Sequence, residues 1–225
     1  MRYIYLFLFL FSQVLGIVNT EVYRNSNNNS EKHKFNLGFS ISDGNTNQSQ
    51  FRFSHRYDFK LSDIDGFTVS SLQQSQVNGS KTKENIFMHL RISKSFSKQQ
   101  HYESFFQYEN DAFRNISSRF LLGFGRRLSL AGNMYLGVGA MLENETFTSK
   151  KAETRARSTN YLSFISKIND YLNVKGTIYY QPLFSDLSNY RLSTQLNKSI
   201  KLSQHINLEH TFQYKYYSHL PQNVN

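Results

Sequence analysis

Apolar residues recur at every second position along almost the whole chain, beginning at Phe35. The first such run places Phe35, Leu37, Phe39 and Ile41 on one parity, with polar or small residues between them. Strict alternation is typical of a β-strand with one apolar face, because successive side chains point to opposite sides of a sheet. No stretch of the chain shows the 3.6-residue period of an amphipathic helix. The sequence therefore predicts an all-β fold.

Eleven runs of this kind follow one another, separated by polar turn residues. They cover residues 35–41, 51–59, 67–76, 86–92, 102–108, 118–128, 134–142, 157–167, 172–182, 191–200 and 206–216. Strands of about ten residues, each joined to the next, are typical of an antiparallel up-and-down transmembrane β-barrel. Single-chain bacterial barrels have an even number of strands. Either one of the eleven runs is not a strand or a twelfth strand is missing. We expect the second, because the weakest run, residues 67–76, is needed to keep short and long connections alternating, so residues 33–225 should form a barrel that lacks its last strand.

The predicted connections alternate in length. The links after even-numbered strands are short, at residues 62–66, 95–100, 129–133, 169–170 and 201–204. The links after odd-numbered strands are longer and more polar, at residues 76–84, 109–117, 143–156 and 183–189. Short turns at one end and longer loops at the other are typical of outer-membrane barrels, whose turns face the periplasm.

The two faces of each predicted strand differ strongly in polarity. In the run 172–182, Leu172, Val174 and Ile178 alternate with Asn173 and Thr177. A membrane barrel turns its apolar face toward lipid and keeps its polar face in the lumen. A closed sheet is also the β-arrangement that satisfies every backbone group inside hydrocarbon. The alternation therefore predicts apolar side chains outside and polar side chains inside.

The N-terminus has the features of an export signal. Arg2 is followed by an apolar stretch over residues 3–15 and by Gly16, as in a cleaved signal peptide. A membrane anchor is the alternative, but a spanning helix needs about 20 apolar residues and this run is shorter. We predict a signal peptide over residues 1–16, a flexible lead-in over residues 17–32, and a location in the outer membrane of a Gram-negative bacterium.

Composition excludes several classes of site. The chain has no cysteine, which excludes disulfides, cysteine-bound metals and a cysteine nucleophile. Its seven histidines lack the H-x-H or HExxH spacing of metal ligands, so we expect no metal and no cofactor. The formal charge is +10, yet nucleic acid is a poor partner for an exported barrel. The expected partners are outer-membrane lipid, lipopolysaccharide and, during biogenesis, the barrel-assembly machinery; the oligomeric state stays open.

Several short motifs resemble those of one uncharacterised family. They are residues 103–109 (ESFFQYE), 119–127 (RFLLGFGRR), 136–139 (LGVG), 179–182 (YYQP), 189–191 (NYR) and 217–224 (YSHLPQNV). Together they resemble the salt-induced outer-membrane proteins that share domain of unknown function 481. The resemblance implies an outer-membrane β-barrel and a link to salt stress, but it carries over no catalytic residue. It also implies one further strand that closes the barrel.

Acidic and basic residues share the predicted inward face. The candidate lumen residues are Glu103, Glu109, Arg119, Arg127, Glu143, Lys175, Arg191, Glu209 and Lys215. Such groups either pair across the lumen and fill it or line a narrow water channel. Pairing is the stronger expectation because buried charges normally have partners. Glycines 123, 125, 137 and 139 share this face, and they indicate either strand curvature or a local cavity.

A basic segment between the seventh and eighth predicted strands is a candidate for contact with the phosphates of lipopolysaccharide. Its members are Lys150, Lys151, Arg155 and Arg157. Cationic side chains attract a polyanion through their summed field. A solvated loop without a ligand is the plainer interpretation of the same residues.

The sequence favours a non-enzymatic integral outer-membrane protein, either structural or a narrow channel, with a stress-related or salt-related role. A lipid hydrolase on a barrel is one alternative, with His210, Ser218, His219 and Glu209 as the candidate Ser, His and acid. Their spacing is nonspecific, since a catalytic triad is recognised by geometry. A soluble periplasmic β-barrel that binds a ligand in its lumen is the other alternative.

Overall fold

One antiparallel sheet contains every strand. The protein is represented by a computed structural model that describes residues 20, 21, 24, 31–148 and 151–219. The strands are β1 (Lys32–Ser42), β2 (Gln48–Leu61), β3 (Ile64–Val77), β4 (Ser80–Ser97), β5 (Gln100–Asp111), β6 (Ile116–Ser129), β7 (Met134–Phe147), β8 (Glu153–Lys167), β9 (Leu172–Leu183), β10 (Asp186–Lys201) and β11 (Asn207–Tyr217). A short 3-10 helix, Ala112–Arg114, connects β5 to β6.

The strands follow one another across the sheet in chain order, from β1 to β11. Each strand therefore pairs with its sequence neighbours, as in an up-and-down meander. This confirms the predicted fold class and all eleven predicted strands. Within the described residues, β1 and β11 each pair with a single neighbour. The expected twelfth strand stays a prediction.

The sheet curls around its polar face. Side chains from strands that are not neighbours meet there: the Tyr161 hydroxyl on β8 donates to Glu103 Oε2 on β5 at 2.8 Å, and Arg191 on β10 pairs with Glu143 on β7. Contacts of this kind require the wall to bend back on itself. The polar face is consequently the inside of a barrel.

The interior and exterior are inverted relative to a water-soluble protein. Among the described residues, buried polar and charged side chains outnumber buried hydrophobic ones, whereas large hydrophobic side chains are exposed on almost every strand. On β6, for example, Leu122 and Phe124 are more than half exposed while Arg119 is 2% exposed. The period-two alternation therefore places apolar residues outside and polar residues inside, as predicted.

The predicted difference between short and long connections is wrong. The strands extend into the segments that were assigned to long loops, so β3 and β4 are joined by Asn78 and Gly79 alone. Both residues have positive φ, of 50° and 77°, which is the conformation of a tight hairpin turn. Backbone pairing continues through polar residues beyond the point where the hydrophobic alternation ends, which is why the strands are longer than predicted. The connections at the two ends are similar in length, so they do not indicate which end faces the periplasm.

Glycine allows a sharp bend where β6 meets β7. Gly125 and Gly139 are direct partners in the register. A Cβ on Gly139 would lie 2.5 Å from the carbonyl oxygen of Phe124, and a Cβ on Gly125 would lie 2.6 Å from that of Val138. Real Cβ atoms do not approach backbone so closely. The structure therefore supports the curvature interpretation of these two glycines.

The predicted N-terminal segments lie mostly outside the described residues. This holds for the whole signal peptide, residues 1–16, and for much of the lead-in. Within the lead-in, Thr20 and Glu21 are buried, with 3% and 8% of their surfaces exposed. Charged residues on the barrel wall bind these two side chains, and the flexible lead-in stays a prediction for the rest of the segment.

Candidate functional site

Six charged residues fill the barrel near the end where β5 turns into β6 and β7 into β8. We call them the upper cluster, and they are Glu109, Arg119, Glu143, Glu145, Arg157 and Arg191. Glu143 lies at the centre with no exposed surface. Its carboxylate accepts hydrogen bonds from Arg119 at 2.7 and 3.0 Å and from Arg157 at 3.0 Å, and it also accepts one from Arg191.

The upper cluster has equal numbers of arginines and glutamates. Glu145 lies 3.2 Å from Arg191 and 3.7 Å from Arg119, and Glu109 lies 3.7 Å from Arg119. The remaining guanidinium donors of Arg157 reach the carbonyl oxygens of Gln181 and Asn189. Buried charges that are paired and hydrogen-bonded in this way are tolerated in a low-dielectric interior. The cluster therefore fills the part of the lumen beside β5 to β10 at this level.

A second group of charges lies deeper in the barrel, toward the end where β4 turns into β5. This lower cluster comprises Arg91, Glu103, Arg127 and Tyr161 on the wall, together with Glu21 and Arg24 from the N-terminal segment. Arg24 binds Glu103 and lies 3.4 Å from Glu21. Glu21 and Arg24 are thus held inside the barrel by charged side chains of three neighbouring strands.

The electrostatics of Glu21 follow from this environment. Burial by itself raises the pKa of the Glu21 carboxyl, but the guanidiniums of Arg24, Arg127 and Arg91 outweigh it and hold the pKa well below its usual range. Opposite charges within contact distance favour the ionised form. Glu21 is therefore a carboxylate inside the barrel at neutral pH.

A layer of rings and uncharged polar groups separates the two clusters. His89 is buried, and its ring lies 6.0 Å from that of Phe105 and 5.8 Å from that of Phe67. The ring of Phe105 occupies the space that Gly123 leaves on the neighbouring strand. A cavity of about 20 Å³ lies beside this layer, between His89 and Tyr179. That volume suffices for about one water molecule.

The lumen is more open beside β1 to β4. A cavity of about 350 Å³ lies against the inner face of these strands. It is lined by Asn36, Arg52, Ser54, Ser71, Gln73 and Asn85, with a few neighbours. Five of its ten lining residues carry amide or hydroxyl groups and one is an arginine, whereas the others are Gly38 and the apolar residues Leu37, Phe53 and Leu72. Its lining is therefore less charged than the clusters beside β5 to β10.

The sequence matches the family model described as "Protein of unknown function, DUF481" over residues 21–225. The chain belongs to this family. No curated protein matches the sequence of this DUF481 member. Among solved structures, the translocator domain of autotransporter NalP from Neisseria meningitidis is similar, with a TM-score of 0.47 and 10% sequence identity. The match covers 83% of this chain and 81% of that domain.

Six of the nine predicted lumen residues of this DUF481 chain are buried in the two clusters. They are Glu103, Glu109, Arg119, Arg127, Glu143 and Arg191. Lys175 and Glu209 are instead exposed, and Lys215 is half-buried. Lys175 lies close to the first residue of β9, and Glu209 and Lys215 lie on β11, which the described sheet flanks on one side only. These three residues do not join the clusters.

Arg157 does not belong to the predicted polyanion-binding loop. It lies within β8, is 2% exposed, and binds Glu143 inside the barrel. Arg155 is on the same strand and pairs with Glu153 and Glu145. Lys151 is exposed, and Lys150 lies outside the described residues. Contact with lipopolysaccharide through Lys151 and Arg155 stays a prediction.

Sequence reasoning missed several cluster members. Arg91 and Glu145 have the inward parity of their strands, so the alternation was sufficient to identify them. Tyr161 has the same parity on β8, and its hydroxyl accepts from Arg127 at 2.9 Å. Glu21 and Arg24 carry no such signal, because the segment around them has no periodicity.

The residues of the hydrolase alternative are not brought together. Glu209 and His210 lie near the beginning of β11, whereas Ser218 and His219 follow its end. Glu209 and Ser218 are nine positions apart on extended chain, which corresponds to about 30 Å. The Ser218 hydroxyl lies 3.1 Å from His219 Nδ1 and also accepts from the backbone amide of Tyr190.

Among residues 20, 21, 24, 31–148 and 151–219, no three histidine, aspartate or glutamate side chains are arranged to hold a metal ion. The same part of the chain contains no helix that is long and apolar enough to cross a membrane.

Proposed function

We propose that this protein is an integral β-barrel of the bacterial outer membrane with a structural role in the envelope, and that it is not an enzyme. The observation that carries the proposal is the inverted distribution of polarity on the wall. Outward residues such as Leu122 and Phe124 are exposed, while Arg119 and Glu143 are fully buried. In water, exposure of so much apolar surface would promote association, whereas lipid is its natural environment.

The charge-paired lumen supports a structural role over an open pore. The two clusters place guanidinium and carboxylate groups across the barrel at two levels, and the cavity between them holds about one water molecule. Ions need a continuous wet path, which these side chains interrupt in the part of the lumen beside β5 to β10. Buried pairs are also screened by salt much less than exposed pairs. The filled interior therefore suits the salt-related role that the family resemblance implies.

A narrow channel is the second candidate. The cavity of about 350 Å³ beside β1 to β4 favours it, because Asn36, Ser54 and Gln73 offer water a polar lining. A solute that used this route would pass along the inner wall and avoid the charged clusters. The charged clusters then form one side of a channel. The amide and hydroxyl groups and Arg52 along its other side would select small neutral or weakly anionic solutes.

The lipid hydrolase and the soluble ligand-binding protein are less well supported. The separation between Glu209 and Ser218 along β11 argues against a catalytic triad that combines these two residues. The exposed apolar wall argues against a protein that is soluble without detergent.

The proposal is tested by location and conductance in one preparation. Full-length protein expressed in a Gram-negative host is expected in the outer-membrane fraction of a density gradient. Purified from that fraction, it is expected to give no steady ion current in planar bilayers. A steady current would refute the structural role and support the narrow channel. Recovery in the aqueous fraction without detergent, or release of fatty acid that His219→Ala abolishes, would refute the proposal.

A further inference from the structure

Two arginines on the barrel wall converge on one carboxylate. Arg91 on β4 donates to Glu21 Oε1 at 2.6 Å, and Arg127 on β6 donates to Glu21 Oε2. The strands are separated by β5, so the two guanidiniums approach the carboxylate from different sides. Both oxygens of Glu21 are therefore bound, each by a different arginine, which is a geometry of anion recognition.

The wall holds these guanidiniums in place through other contacts as well. Arg127 lies over the ring of Tyr135, 4.0 Å from its centroid, and donates to the Tyr161 hydroxyl at 2.9 Å. Arg91 lies 5.5 Å from the centroid of Phe105. Strand side chains that are packed in this way are preorganised for a ligand, which reduces the entropy lost on binding. The positions of the two guanidiniums are thus set by other side chains of the barrel wall.

The charges on this part of the wall are unequal. Arg91 and Arg127 face one wall carboxylate, Glu103, which lies 3.5 Å from Arg91 and also accepts from Tyr161. The upper cluster has three arginines and three glutamates, so its charges are balanced. The lower wall, with two arginines and one glutamate, has one negative charge fewer. Glu21 supplies a carboxylate between the two wall arginines, and Arg24 adds a third guanidinium beside Glu103.

We propose that Arg91 and Arg127 form a carboxylate-binding site in the lumen, which Glu21 occupies as an attached ligand and which small organic carboxylates bind when Glu21 is removed. Propionate has the chemistry of the glutamate side chain and is the matching probe. Arg24 belongs to the segment and pairs with Glu103, so it stays beside the bound anion. The site consists of inner-wall residues and does not rest on the location in a membrane.

The test uses the full chain in detergent with Glu21→Gly, which removes the whole side chain and leaves its place between Arg91 and Arg127 to propionate. Thermal unfolding is followed by circular dichroism in propionate and in chloride at equal ionic strength. Propionate is expected to raise the Tm of the variant with saturation, whereas the unsubstituted protein should need at least about tenfold more propionate for the same shift, because its attached carboxylate competes.

The control adds Arg127→Gln to Glu21→Gly, which is expected to abolish the response to propionate. If Glu21→Gly alone does not fold, propionate should restore folding where chloride does not, and failure to do so counts against the site. If the double variant does not fold, saturation-transfer NMR between protein ring protons and propionate in Glu21→Gly decides instead. Equal effects of propionate and chloride, or a response that survives in a folded double variant, would overturn the proposal.

Discussion

Replacement of Glu143 by glutamine is expected to lower the free energy of unfolding by about 3–5 kcal/mol, because it leaves three buried guanidiniums without their shared anion. Glu143 has no exposed surface and binds Arg119, Arg157 and Arg191. Glutamine keeps the volume of the side chain, so the change isolates the charge. The measurement is urea-induced unfolding in lipid vesicles, followed by the electrophoretic mobility of folded and unfolded protein.

The matched control is Glu153→Gln. Glu153 pairs with Arg155 at the beginning of β8, where its side chain is 51% exposed. An exposed pair contributes about 0–1 kcal/mol, so this variant should differ little from the unsubstituted protein. Equal effects of the two substitutions would mean that water reaches the upper cluster freely, and the account of a filled lumen would then be wrong.

Leu122→Arg is expected to destabilise the barrel in lipid by about 2–4 kcal/mol, the cost of an arginine on the lipid face near the midplane. Leu122 is 62% exposed and lies in the middle of β6. In a water-soluble protein the same substitution at an exposed position would change stability by about 0.5 kcal/mol or less. The large expected effect therefore depends on the hydrocarbon around the wall. Unfolding in vesicles measures it.

The control for this substitution is Leu61→Arg. Leu61 is 72% exposed, like Leu122, but it is the last residue of β2 and lies at the rim of the barrel. Near the membrane interface an arginine costs about 0–1 kcal/mol. If Leu61→Arg and Leu122→Arg prove equally mild, the outer face of the barrel is in contact with water.

The sequence predicted the faces of the strands better than their ends. Alternation identified Glu143 and Arg191 as inward because a period of two leaves no other face for them once the apolar parity is assigned to the outside. The hairpin at Asn78 and Gly79 was missed because both faces of the chain become polar there, while backbone pairing continues regardless of side-chain polarity.

The partners of the charged residues were not predictable in the same way. Arg191 meets Glu143 across strands that are far apart in sequence, and this contact depends on how tightly the sheet curls. The curl in turn depends on close approaches such as that of Gly125 to Gly139. The position of Glu21 depends on the finished lumen, since the segment has no pattern of its own. The sequence alone therefore indicates which side chains point inward, whereas the ion pairs that they form depend on the shape of the closed barrel.

Lipid exposure along β10 tests the central claim most directly. The chain has no cysteine, so single cysteines at positions 192–197 each carry one nitroxide label. In vesicles, labels at Leu192, Thr194 and Leu196 should be accessible to oxygen and protected from a water-soluble nickel complex. Labels at positions 193, 195 and 197 should show a lower ratio of oxygen to nickel accessibility. A ratio that does not alternate, or that alternates with the opposite parity, would contradict a barrel with lipid outside and a polar lumen within.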